Sequence, residues 1–165
     1  MSPVLRVSNT RVSETTSLLE QVMDYQNSAV VYRYMNKLGL GKEEARLLFE
    51  DTKRFLYLCG SKKKADFSLA PPKLVDEGWH EFLLFTEDYQ HFCQIYFRRF
   101  IHHRPDRPED PKDGGQSLRL TIGLATATFG DLSPNWRIHP EGSECQACES
   151  SCDSGGCSTC KECHN

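Results

Sequence analysis

The sequence predicts an all-α fold: a small helical bundle built around an αα-hairpin, followed by an irregular cysteine-rich tail. Three observations predict it. Ala45, Leu48, Phe49, Thr52, Phe55, Leu56 and Cys59 recur at the spacing of one helical face. Two further apolar stripes flank a short break, Val75, Trp79, Phe82 and Leu83 before it and Tyr89, Phe92, Cys93, Tyr96 and Phe100 after it. From Glu141 onward large apolar side chains disappear, and six of the eight cysteines are concentrated there. The chain divides accordingly into a helical domain over 1–140 and a tail over 141–165 that is flexible unless metal-bound or cross-linked.

Each element has its own warrant. Residues 14–38 read as one helix or two, with Leu18, Val22, Tyr25, Ala29 and Val30 on one stripe. Gly39 and Gly41 stop it, because glycine takes the left-handed cap conformation at low cost. The stripe over 45–59 predicts a helix spanning about 42–60, with Cys59 as a small buried hydrophobe. Pro71-Pro72 punctuates the chain, and arms over 73–85 and 87–101 form the hairpin. Thr86 stands at the N-cap place of the second arm, ahead of Glu87 and Asp88, which suit the positive end of a helix dipole. Residues 104–116 carry three prolines and the Gly114-Gly115 pair and read as a loop. Leu118, Ile122, Ala125 and Phe129 predict a last helix stopped by Gly130, with Trp136 packing back onto the core.

Composition narrows the function. At 165 residues, 38% hydrophobic and 26% charged, the chain is long enough for one ordinary domain and an appendage. The net charge of −3 argues against a nucleic-acid role, which needs a concentrated basic surface. The one basic run, Lys62-Lys63-Lys64, ends a helical pattern and reads as a solvated face. The opening MSPVLRVSNTRV lacks the apolar centre of a secretory signal, and no stretch approaches the roughly 18 apolar residues of a membrane span. A cytoplasmic, reducing setting is therefore expected, with a protein as the partner rather than nucleic acid or membrane. Under reducing conditions clustered cysteines read as metal ligands or reactive thiols before disulfides.

The hairpin carries unusual chemistry for a core. Asp76 and His80 stand at i and i+4, so both side chains rise from one helical face. In an antiparallel hairpin turning at Thr86, His80 and Cys93 lie at similar height. An aspartate, an imidazole and a thiol converging there suit zinc, and equally a Cys–His catalytic pair. A plain structural reading stands beside both: His80 hydrogen-bonded to Asp76 or backbone, and Cys93 as packing. Ten residues separate Cys93 from His103, about 15 Å along a straight helix, so the two share no ion unless the helix breaks. His102 points away from Cys93, His103 falls near the Tyr96/Phe100 stripe, and His91 lies off it.

The combination D-x-x-W-H at 76–80, T-x-x-Y-x-x-F-C at 86–93 and I-H-H-x-P at 101–105 resembles the glycine-rich domain-containing protein-like family. The likeness covers about residues 72–136, including T-A-T-F-G at 126–130 and Trp136. It singles out Asp76, Trp79, His80, Tyr89, Cys93 and the His102-His103 pair. Plant members tend to carry a second histidine two residues after W-H, where this sequence has Phe82. The resemblance implies a helical domain without an established reaction, and bacterial relatives that end in Cys- and Gly-rich tails.

The tail reads Cys145-x2-Cys148-x3-Cys152-x4-Cys157-x2-Cys160-x2-Cys163-His164. Two CxxC pairs suit one tetrahedral zinc, while six thiols and a histidine exceed one site and suit a small zinc or copper(I) cluster. Five acids and one lysine set the tail at a formal −4, leaving about +1 for the rest. Ordering it costs about 1–2 kcal/mol of backbone entropy per residue, which only ligation or cross-linking offsets. The function expected is a non-enzymatic metal-binding adaptor, regulatory or metal-buffering protein. The alternatives are a precursor or effector whose tail is modified after synthesis, and a thiol hydrolase using Cys93 and His80. The metal candidates are Asp76, His80, Cys93, His102, His103, Cys145, Cys148, Cys152, Cys157, Cys160, Cys163 and His164, with zinc or copper(I) as the ion.

Overall fold

A computed structural model describes residues 16–61, 68–105 and 113–138. The tail cysteines, His164 and Lys62-Lys63-Lys64 lie outside those residues. The described residues form an all-helical arrangement without strands: α1 (Leu18–Asp24), α2 (Ser28–Leu38), α3 (Lys42–Ser61), α4 (Lys73–Leu83), α5 (Thr86–Phe97), α6 (Gln116–Phe129) and a 3-10 turn at Pro134–Trp136.

The N-terminal helical pattern is two helices because side chains impose a break. Ser17 and Glu20 form a capping box that starts α1. The Asn27 side chain accepts from the Ala29 and Val30 amides and starts α2, and its own amide donates to Asp88 of α5 at 2.8 Å. Between the two helices, Lys53 of α3 donates through Nζ to the carbonyls of Met23 and Tyr25 at 2.5 and 2.8 Å. Gly39 closes α2 in the left-handed conformation, φ 68°, as its position predicts.

Helix α3 is the central element, packed against α1, α2, α4, α5 and α6. Ala45, Leu48, Phe49, Thr52, Phe55 and Leu56 are buried on its predicted face, and Cys59 is half-buried. Two charged residues are buried with them. Asp51 accepts from Ser133 Oγ, Asn135 Nδ2 and Arg54 Nη1, tying the 3-10 turn to α3. That anchor, with Trp136 only 3% exposed, explains how the last turn reaches the core.

Helix α4 sits close on α3 at Gly78. A Cβ there would lie 2.7 Å from Thr52 Oγ1, and the Tyr34 hydroxyl donates to the Gly78 carbonyl at 2.6 Å. An Arg33–Glu81 ion pair joins α2 to α4. Val75, Trp79 and Phe82 face inward from α4, and Tyr89, Phe92 and Cys93 from α5. The second arm is shorter than the sequence suggests. Thr86 is its first helical residue rather than its cap, and it ends at Phe97, where Arg98 takes the left-handed conformation, φ 56°. Phe100, past that break, is exposed instead of core-facing. No helix of the described residues is long and apolar enough to cross a membrane.

Candidate metal centre

The break at Arg98 builds the site. A continuous helix would carry His103 about 15 Å beyond Cys93. Instead the chain turns at Arg98 and runs back along α4. Arg99 Nη2 donates to the Cys59 carbonyl at 2.6 Å, and the Tyr89 hydroxyl donates to the Ile101 carbonyl at 2.6 Å. Ile101 is buried, and the two histidines that follow it diverge: His102 is exposed, its ring 4.8 Å from that of Phe100, while His103 folds onto α4.

His103 lands on the flank of α4 that carries Asp76 and His80, one helical turn apart. Its Nε2 is 2.9 Å from Asp76 Oδ1, and His80 Nδ1 is 3.6 Å from Asp76 Oδ2. The His103 ring lies 4.4 Å from the Trp79 ring and 4.3 Å from the His80 ring. One donor atom from each of Asp76, His80 and His103 falls within 4.8 Å of the others. Tetrahedral zinc holds its nitrogen and oxygen donors about 2.0–2.2 Å away, so bound donors stand roughly 3.3–3.6 Å apart. The separations of His103 and His80 from the Asp76 carboxylate oxygens, 2.9 and 3.6 Å, bracket that spacing. The cluster is half open: His103 is 13% exposed, Asp76 32% and His80 45%.

Cys93 is not part of this group. It is wholly buried, next to the Tyr89 hydroxyl and the backbone of Ile101, and burial pushes its thiol up. A reactive thiol needs a lowered pKa and some access, and Cys93 has neither. His102 also stands apart from the donor group, as does His91, which is exposed on α5. The six tail cysteines and His164 lie outside the described residues. A shallow depression on α5, lined by Glu87, Gln90, His91, Gln94 and Ile95, does not include the three donors.

The family model for UCP032817-like proteins matches residues 20–129, which is most of the chain and nearly all of the helical arrangement. The chain belongs to the UCP032817-like family. This corrects the resemblance to the glycine-rich domain-containing protein-like family. The motif residues behind that resemblance include Trp79 and Tyr89, which are buried and hydrogen-bonded to each other at 3.0 Å. Core packing alone selects such residues in a helical hairpin, so the shared letters do not establish shared descent. The UCP032817-like match begins well upstream of residue 72, in α1, and takes in the whole of α2 and α3. No curated protein and no solved structure shows significant similarity to the chain.

Two contributors were not visible in the sequence. Arg98 carries no glycine signal for a left-handed residue, so the apolar spacing runs past the true end of α5 at Phe97. Tyr89 reads as one more core aromatic, whereas its hydroxyl holds the segment that delivers His103. The available signal for the second was the Trp79–Tyr89 pair, since buried indole N–H and phenol O–H groups need partners.

Proposed function

We propose that this UCP032817-like protein binds a divalent transition-metal ion through Asp76, His80 and His103, and acts as a metal-dependent adaptor, regulatory or buffering protein. The observation that carries the proposal is the convergence of two imidazoles and a carboxylate from α4 and the chain beyond α5. Two imidazoles and one carboxylate are borderline to hard donors, which suit zinc and disfavour copper(I). Copper(I) is better matched to the soft thiolates of the tail. Three protein donors would leave at least one coordination position for a further ligand, and His80 is the most exposed of the three. The setting proposed for such a protein is cytoplasmic, where the tail thiols stay reduced.

The test is zinc titration of the full chain, followed by calorimetry, after its accessible thiols have been alkylated. The wild type is expected to take up one equivalent that D76N, H80A and H103A each weaken at least tenfold. Equal uptake by all four proteins would remove the assignment.

A further inference from the structure

His103 is the donor whose place depends most on its surroundings. Asp76 and His80 ride on α4, whose position is set by the Gly78 contact and the Tyr34 hydrogen bond. His103 stands outside any helix, so side-chain anchors decide where it goes. The Arg99 anchor to the Cys59 carbonyl is exposed, where solvent competes for it. The Tyr89 anchor is fully buried, where a hydrogen bond is stronger and a broken one costs more.

Resting on the metal-binding reading above, we infer that Tyr89 is the positioning residue of this centre. Its hydroxyl receives the Trp79 indole N–H at 3.0 Å and donates to the Ile101 carbonyl at 2.6 Å. It thereby fixes both the ring against which His103 rests and the backbone two residues ahead of His103. Groups hydrogen-bonded directly to a metal-ligating histidine typically matter about 10–100-fold, and Tyr89 acts one residue further out, through the Trp79 ring and the Ile101 backbone. Phe82 and Phe100 pack against the Tyr89 ring at 5.2 Å, so the ring keeps its place when the hydroxyl is removed.

The experiment compares Y89F with the wild type, both as full chains with accessible thiols alkylated. Imidazole NMR signals are read first without metal, then Co²⁺ affinity is measured. K53M serves as a control for lost stability at a distance from the centre. Without metal, Y89F is expected to shift the His103 signal toward its free value, because the Trp79 ring-current effect is lost, and to shift His80 less, through loss of its ring neighbour 4.3 Å away. Cobalt affinity is expected to fall 10–100-fold in Y89F and less than threefold in K53M. A His103 signal and a cobalt affinity both unchanged in Y89F would overturn the inference. If the wild type binds no cobalt, the metal reading fails, and the metal-free signal alone decides whether Tyr89 positions His103. Should Y89F fail to fold, exchange of the Tyr89 hydroxyl proton in the wild type replaces it. That exchange is expected to slow when zinc is bound, and an unaltered rate in protein that calorimetry shows to hold zinc would refute the inference.

Discussion

Lys53→Met tests the packing of α1 on α3 through a buried cation. Lys53 is 1% exposed, its Nζ donates to the carbonyls of Met23 and Tyr25, and it lies 5.3 Å from the centre of the Phe49 ring. Methionine fills similar space and leaves both carbonyls without a donor. Each buried acceptor so abandoned costs about 1–3 kcal/mol. Against that, the mutation removes the cost of burying an ammonium. Burial pulls Lys53 from 10.5 down to about 8, and at 1.36 kcal/mol per unit that cost is about 3 kcal/mol at neutral pH. The second offsets most of the first at pH 7, leaving an expected destabilisation of about 1 kcal/mol.

The pH dependence is the sharper part. Between about pH 8 and 10.5 the unfolded chain holds a proton on Lys53 that the folded chain has released. Wild-type stability therefore gains from this group as pH rises through that window, and K53M has no such gain. Tyr34, Tyr89 and Cys93, all pushed up by burial, act in the opposite direction above their ordinary values, but in both proteins alike. The penalty for K53M is thus expected to widen by up to about 3 kcal/mol between pH 7 and pH 10.5. Urea unfolding of both proteins at several pH values measures it. A penalty that is constant, or that narrows as pH rises, would refute the account of Lys53.

Two further outcomes are expected. Asp51→Ala removes the acceptor shared by Ser133, Asn135 and Arg54, and should cost about 3–5 kcal/mol in chemical denaturation, the usual cost of breaking a buried charged network. Loss of less than 1 kcal/mol would show that the 3-10 turn is held by Trp136 alone. Arg98→Gly removes the side-chain strain of a left-handed residue and should raise stability by up to about 1 kcal/mol in the same assay. A loss of stability would mean that the Arg98 side chain contributes more than its backbone costs.

The parts of this molecule set by apolar spacing were legible in the sequence. The stripe from Ala45 to Leu56 and the inward faces Val75–Phe82 and Tyr89–Cys93 are buried as their periodicity predicts, because helical pitch alone decides which of them share a face. The parts set by individual polar groups were not. Asn27 splits a continuous apolar stripe into α1 and α2 by capping the second, and a stripe does not register a cap inside it. Buried Asp51 and Lys53 leave no mark on an apolar stripe, since their partners are carbonyls and side chains distant in the chain. The i, i+4 pairing of Asp76 with His80 was local and could be read. Bringing His103 rather than Cys93 to that pair depended on a left-handed arginine, which has no signature in residue type.

Crystals of the full chain grown with zinc, measured on both sides of the zinc absorption edge, test the central claim most directly. The account predicts an anomalous peak about 2.0–2.2 Å from one donor atom each of Asp76, His80 and His103, with a non-protein ligand in a remaining position. Zinc bound elsewhere, with His103 still hydrogen-bonded to Asp76 and no peak between them, would contradict it.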